Sequence, residues 1–222
     1  MIRVRVDDFP HTKDGEKGKH SLAAYREFHR VLSECIGGRR YVLGVIPGRC
    51  SVDDVLFLRN ETDVSIGMHG INHDEEKLDI YRNEFPPFYS EQQVGRLLIE
   101  ASHALEVGVC REVRLYMPPR NMIDRRTVDV LMDCGFYGYT AGPETHAAFL
   151  YHPDLVVFPS IPPFEYGRTD ELLQREAHVH LRQFKGDVIL TLHWTWETNI
   201  GLEHMRKFFA EIPKELFADF DA

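Results

Sequence analysis

The sequence predicts an α/β fold of about seven mainly parallel strands, open or closed into a barrel, on three observations. Apolar runs of strand length recur along the 222 residues, helical segments lie between them, and no internal repeat, linker or low-complexity stretch interrupts the alternation. Strands that alternate with helices pair in parallel, and seven of them favour closure into a barrel over an open sheet. A chain of this length with 43% hydrophobic residues, 14 Phe, 9 Tyr and 2 Trp can fill one sizeable core, so a single domain over residues 1–222 is expected.

The elements follow in order. Ile2 to Val6 alternates like a strand, and Ser21 to Cys35 carries Leu22, Tyr25, Phe28, Val31 and Leu32 on one helical face, stopped by Gly37-Gly38. Tyr41 to Ile46 is the next strand and Pro47-Gly48 its turn. Ser51 is a plausible N-cap for a short helix, with Asp54 three residues on. Asp63 to Gly67 is a third strand. A loop rich in Asp, Glu and Pro then runs from Asp74 to Phe88, long enough to be functional. Ser90-Glu91-Gln92-Gln93 resembles a capping box for a helix reaching about Val107. Val113 to Tyr116 is a strand ending at Pro118-Pro119, Asp124 to Cys134 a helix and Phe136 to Thr140 a strand. Leu155 to Phe158, a helix from about Thr169 to Phe184, the strand Val188 to Leu192 and a last helix near Gly201 to Ala210 complete the pattern.

Charge and cysteine usage narrow the function classes. With 26 Lys+Arg against 35 Asp+Glu the net charge is −9, which repels a polyanion, so no nucleic-acid partner is expected. Cys35, Cys50, Cys110 and Cys134 lack the close pairing of structural zinc sites and read as buried reduced thiols. No apolar run reaches the roughly 18 to 20 residues that span a bilayer, and Met1 to Val6 lacks the apolar stretch of a signal peptide. A cytoplasmic protein with no membrane span is the expectation; oligomeric state is not encoded in any of these features.

Three polar clusters stand at the carboxyl ends of predicted strands, where parallel α/β folds gather functional groups. Asp7 and Asp8 follow the first strand, and Phe9-Pro10 prevents it from continuing smoothly. His69 and His73 follow the third, at a four-residue spacing that puts both imidazoles on one side if the segment turns helically. With 12 His in the chain, about 0.6 such spacings arise by chance, so address rather than spacing carries the signal. His193 ends the strand Val188-Ile189-Leu190-Thr191-Leu192-His193, and Trp194, Trp196 and Glu197 follow at once. Two imidazoles and a carboxylate suit one divalent metal, zinc before others, with open positions for water and substrate. The tryptophans offer a face on which a sugar ring could stack.

These residues resemble the polysaccharide deacetylase family, metal-dependent carbohydrate esterases with a distorted β/α barrel. Val6-Asp7-Asp8 matches the family's first motif, His69 to His73 its second, and Leu190-Thr191-Leu192-His193 a late one, in order and spacing. The resemblance implies a distorted, incomplete barrel in which Asp8, His69 and His73 ligate the metal, Asp7 acts as catalytic base and His193 as acid. It also implies removal of an N- or O-linked acetyl group from a sugar or glycan precursor, with Pro119, Arg120, Trp194 and Trp196 near the substrate. The alternatives are a catalytically impaired sugar-binding relative and a metal hydrolase of small amides. Two departures are visible: Met117-Pro118-Pro119-Arg120 has Met where the family has Arg and Arg where it has an aromatic residue, and Gly138 to Glu144 replaces an Asp- and Trp-containing motif. Arg120 or Arg114 is then the expected source of the missing cation.

Overall fold

The computed structural model describes residues 1–10, 21–61, 63–81, 83–142, 152–159, 164, 168–183 and 186–220. Among the described residues seven strands are formed: β1 (Ile2–Phe9), β2 (Val42–Val45), β3 (Ser65–Met68), β4 (Leu115–Tyr116), β5 (Gly138–Ala141), β6 (Val156–Pro159) and β7 (Val188–His193). The helices are α1 (Leu22–Cys35), α2 (Val52–Glu61), α3 (Glu75–Tyr81), α4 (Glu91–Val109), α5 (Arg125–Leu131), α6 (Thr169–Gln174), α7 (Ala177–Gln183), α8 (Trp194–Ile200) and α9 (Leu202–Ala210). The strand order β6-β5-β4-β3-β2-β1-β7 leaves β6 and β7 as the ends of the sheet, which makes the α/β barrel incomplete, as expected.

By density of internal contacts the chain forms two compact units, the first comprising Met1–Leu43, Asp63–Ser65 and Ile161–Asp221. Here β1 and β7 run parallel in a register that sets Ile2 opposite Val188 and Asp7 opposite His193. Every residue of β7 is buried, as the apolar run demanded. Helix α1 starts where Ser21 accepts a hydrogen bond from the Ala24 amide at 3.2 Å, and it buries Tyr25, Phe28, Val31 and Leu32. Three readings change in this unit. β1 continues through Asp7 and Asp8 to Phe9, because the Arg5 guanidinium neutralises Asp7 within the ladder. The helix expected over about Thr169 to Phe184 is two helices, α6 and α7, separated at Glu176, whose φ of 52° no helix accommodates; Phe184 lies outside the described residues. The segment after His193, to which no element was assigned from the sequence, is the helix α8.

The second unit comprises Gly44–Thr62 and Ile66–Ser160, with Ala222. β3, β4, β5 and β6 pair in parallel, with Met68 opposite Tyr116, Tyr116 opposite Tyr139 and Tyr139 opposite Val157. Helix α4 carries the reciprocal capping box that Ser90 and Gln93 signalled. The expected loop from Asp74 to Phe88 contains α3, begun where Asp74 accepts from the Lys77 amide at 3.2 Å. Its remainder is fastened by Arg126, whose guanidinium donates to the carbonyls of Phe85, Pro86 and Tyr89. Pro143 and Glu144, part of the departure noted above, lie outside the described residues. Among the described residues no helix is long and apolar enough to cross a membrane.

Candidate metal and catalytic site

In the first unit the site residues ride on the paired ends of β1 and β7. Residues two apart on a strand share a face, so Arg5 reaches Asp7 along β1. Its Nε donates to Oδ1 at 2.6 Å and its second terminal nitrogen to Oδ2 at 2.7 Å, a two-pronged pair in which Arg5 is 0% and Asp7 3% exposed. The next residue, Asp8, has φ 68°, and its carbonyl accepts from the Trp194 indole Nε1 at 3.0 Å. That backbone turn leaves the Asp8 carboxylate 3.8 Å from the His193 Nε2. The His193 ring stacks on Trp196, with centroids 4.0 Å apart and planes 18° from parallel.

Trp194 and Trp196 therefore differ. Trp194 is 1% exposed and meets Tyr25 edge-on, so the reading of it as a sugar-stacking wall is corrected: it packs in the core and braces Asp8. Trp196 is 40% exposed and keeps a face toward solvent. Glu197, one residue on, is buried and accepts from the Thr169 amide at 2.9 Å and its hydroxyl at 2.5 Å, tying α8 to the start of α6. Burial pushes its carboxyl up to about 7, against the opposing pull of the two Thr169 donors.

In the second unit His69 leaves β3 with its amide on the Val45 carbonyl at 2.7 Å. Its Nδ1 lies 2.9 Å from the Met117 carbonyl oxygen, which can only accept, so the proton sits on Nδ1 and the lone pair on Nε2. That is the tautomer a metal ligand needs. His73 brings its ring centroid to 5.0 Å from that of His69, and both are buried. The two imidazoles meet through a tight turn rather than a helix: Gly70 has φ 64° and His73 φ 51°. A Cβ at Gly70 would stand 2.5 Å from the Glu84 Oε2 and 2.6 Å from the Pro119 Cγ, so only glycine fits. Pro119 is buried beside this turn, and Arg120, half-buried, pairs with Asp79 at 2.6 Å. Arg114 pairs with exposed Glu112 at 2.6 Å.

The cation observed beside Asp7 is Arg5, which the sequence reading did not single out. The clue was in the sequence: a charged residue within an apolar strand, two positions before an Asp, occupies the same face. Glu84, which accepts the His73 amide at 2.7 Å, and Arg49, which donates to the His73 carbonyl at 2.7 Å, had no comparable signal.

No protein-family model and no curated protein matches the chain in sequence. Solved structures do match in shape. A family 4 carbohydrate esterase from Streptomyces lividans, in complex with acetate, superposes with a TM-score of 0.60 at 10% identity over 99% of this chain and 91% of that one. A protein from Mycobacterium smegmatis described as a polysaccharide deacetylase gives 0.69 at 18% identity over 95% and 82%. The chain has the polysaccharide deacetylase fold. The same fold also serves proteins without activity: a carbohydrate esterase family 4 pseudoenzyme from Bacillus anthracis gives 0.58 at 14% identity, with 99% of this chain covering 63% of that one.

Proposed function

We propose that the chain is a metal-dependent hydrolase that removes an N- or O-linked acetyl group from a sugar or glycan precursor. The donor set carries this reading. His69 has the ligating tautomer and His73 stands beside it, two buried imidazoles of the kind a divalent ion takes, and the proposal adds the Asp8 carboxylate as the third ligand. A bound divalent ion, zinc by ligand type, would supply Lewis acidity toward a carbonyl and a more acidic water.

The chain's own residues do the rest. Asp7, its two oxygens fixed by Arg5, accepts the proton of the attacking water. His193 gives a proton to the departing amine or alkoxide, its ring plane held by Trp196. The exposed face of Trp196 stacks on a sugar ring, while Pro119 and Arg120 border the acyl group. Acid and base must be in opposite protonation states at once, so the rate should follow a bell-shaped pH profile. We also propose that the whole chain is one domain and that it acts in the cytoplasm, on a precursor rather than a finished polymer.

A second reading, a sugar-binding protein without turnover, is supported by Met117 at a motif position and by the likeness to a pseudoenzyme. One assay separates these. Purified protein, with and without chelator, is offered acetylated amino sugars, small amides and phosphate esters. Chelator-sensitive acetate release from the sugars is expected. Release from small amides only, or of phosphate, would move the activity to another class, and sugar binding without any release would favour the second reading.

A further inference from the structure

The turn that carries His73 is held from both sides by charged side chains, Glu84 buried and Arg49 half-buried. Glu84, 4% exposed, accepts three consecutive backbone N–H groups: Ile71 at 2.7 Å through Oε2, and Asn72 at 2.6 Å and His73 at 2.7 Å through Oε1. From the opposite polarity Arg49 donates its Nε to the Asn72 carbonyl at 2.8 Å and a terminal nitrogen to the His73 carbonyl at 2.7 Å. The Gly48 amide donates to the Ile71 carbonyl at 2.8 Å, and a Cβ at Gly48 would overlap the Asn72 side chain at 1.9 Å. A turn of this kind has no ladder or helix to satisfy its amides and carbonyls, and His73 sits at φ 51°, a region that costs a residue with a Cβ. Charge-assisted hydrogen bonds are the strong ones, and a carboxylate can accept several at once.

We propose that Glu84 and Arg49 are positioning residues that hold His73 in its ligating geometry, so that metal affinity depends on two groups that touch no metal. The inference rests on the metal reading above and adds to it the residues that set how tightly the ion is held. Neither is recruited for simple stability of an element: Glu84 belongs to no helix or strand, and the Arg49 fork points at the turn.

Zinc affinity of the full chain, measured by competition with a chromophoric chelator at one pH, tests it. Wild type, Glu84→Gln, Arg49→Met, Arg49→Lys and His73→Ala are compared, with the melting temperature of each metal-free chain and amide exchange at residues 71–73 as separate readouts. Glu84→Gln and Arg49→Met should each weaken zinc binding about ten- to a hundredfold at unchanged stoichiometry, the usual size of an outer-shell effect. Arg49→Lys should fall between, since one ammonium cannot serve as a fork. Exchange at the three amides should quicken in Glu84→Gln before metal is added. Wild-type affinity in Glu84→Gln and Arg49→Met would overturn the proposal, as would a lower melting temperature with zinc affinity unchanged. Should Glu84→Gln fail to fold, the two Arg49 variants decide alone by the same criterion. Equal binding by wild type and His73→Ala would instead sink the metal reading itself.

Discussion

The end of the β1–β7 pair and the turn after β3 hold their functional groups by opposite means. Asp7, Asp8 and His193 belong to strands, so the parallel register that sets Asp7 opposite His193 positions their backbones, and side chains add the Arg5 pair, the Trp194 indole on the Asp8 carbonyl and the Trp196 stack. His69 starts from a strand, but His73 stands in a turn whose backbone is bracketed by Glu84 and Arg49. A ladder spreads the cost of position over many weak bonds, whereas a bracket concentrates it in a few charged ones. Substitutions should therefore act locally and steeply at the turn, and be absorbed or expressed as global stability at the strands.

The largest effect expected lies at the turn. His69→Ala with His73→Ala should reduce zinc content after dialysis from about one ion per chain to near zero while the far-ultraviolet spectrum is kept. Full metal retention in that double variant would break the comparison at its root, since the turn would then carry no ligands.

Next come the strand-borne groups. Asp7→Asn and His193→Ala should each lower turnover by about 10²–10⁴-fold with metal content preserved. Loss of the ion in Asp7→Asn would make Asp7 a ligand rather than the base. Wild-type turnover in both variants would remove acid–base chemistry from β1 and β7.

The difference between the two regions is also a difference in legibility. The strand ends were readable because they combine two strong signals, an apolar run and a polar residue at its carboxyl end, and Val188 to His193 emerged with its limits nearly intact. The His69–His73 spacing was readable only as a helix, and the turn that replaces it is fixed by Glu84, 11 residues beyond His73, and by Arg49, 24 residues before it. Contacts of that separation leave no local pattern. Trp194 and Trp196 are indistinguishable as letters in a row. Only the turn into α8 buries one and exposes the other.

Arg5→Met tests whether the strand region does respond globally. Removing one partner of a buried ion pair leaves an uncompensated charge, so a loss of about 3–5 kcal/mol in urea unfolding is expected. Arg5→Met with Asp7→Asn should recover much of that loss, because the stranded charge goes with it. The same curves examine the one-domain proposal: a single transition is expected, and two separated ones would refute it. A loss below about 1 kcal/mol in Arg5→Met would mean that Asp7 finds another cation, and the strand would then be buffered rather than rigid.

The smallest effect belongs to Glu197, which does for α6 what Glu84 does for the turn, accepting a backbone amide into a buried carboxylate. Its carboxyl is raised from 4.5 to about 7 in the folded chain, chiefly by burial. Below pH 4.5 the group is protonated folded or unfolded and contributes no pH dependence. Between about 4.5 and 7 the unfolded chain releases the proton while the folded chain keeps it, so stability falls as pH rises, and above about 7 the full cost, about 3 kcal/mol, is in place. Glu197→Gln cannot ionise, and its carbonyl can still accept from the Thr169 amide. The drop in urea stability between pH 5 and pH 8 should therefore shrink by up to about 3 kcal/mol in this variant relative to wild type. An unchanged drop would mean that the two Thr169 hydrogen bonds outweigh burial and keep Glu197 ionised when folded, which would make it a charged bracket of the same kind as Glu84 and remove this contrast between the regions.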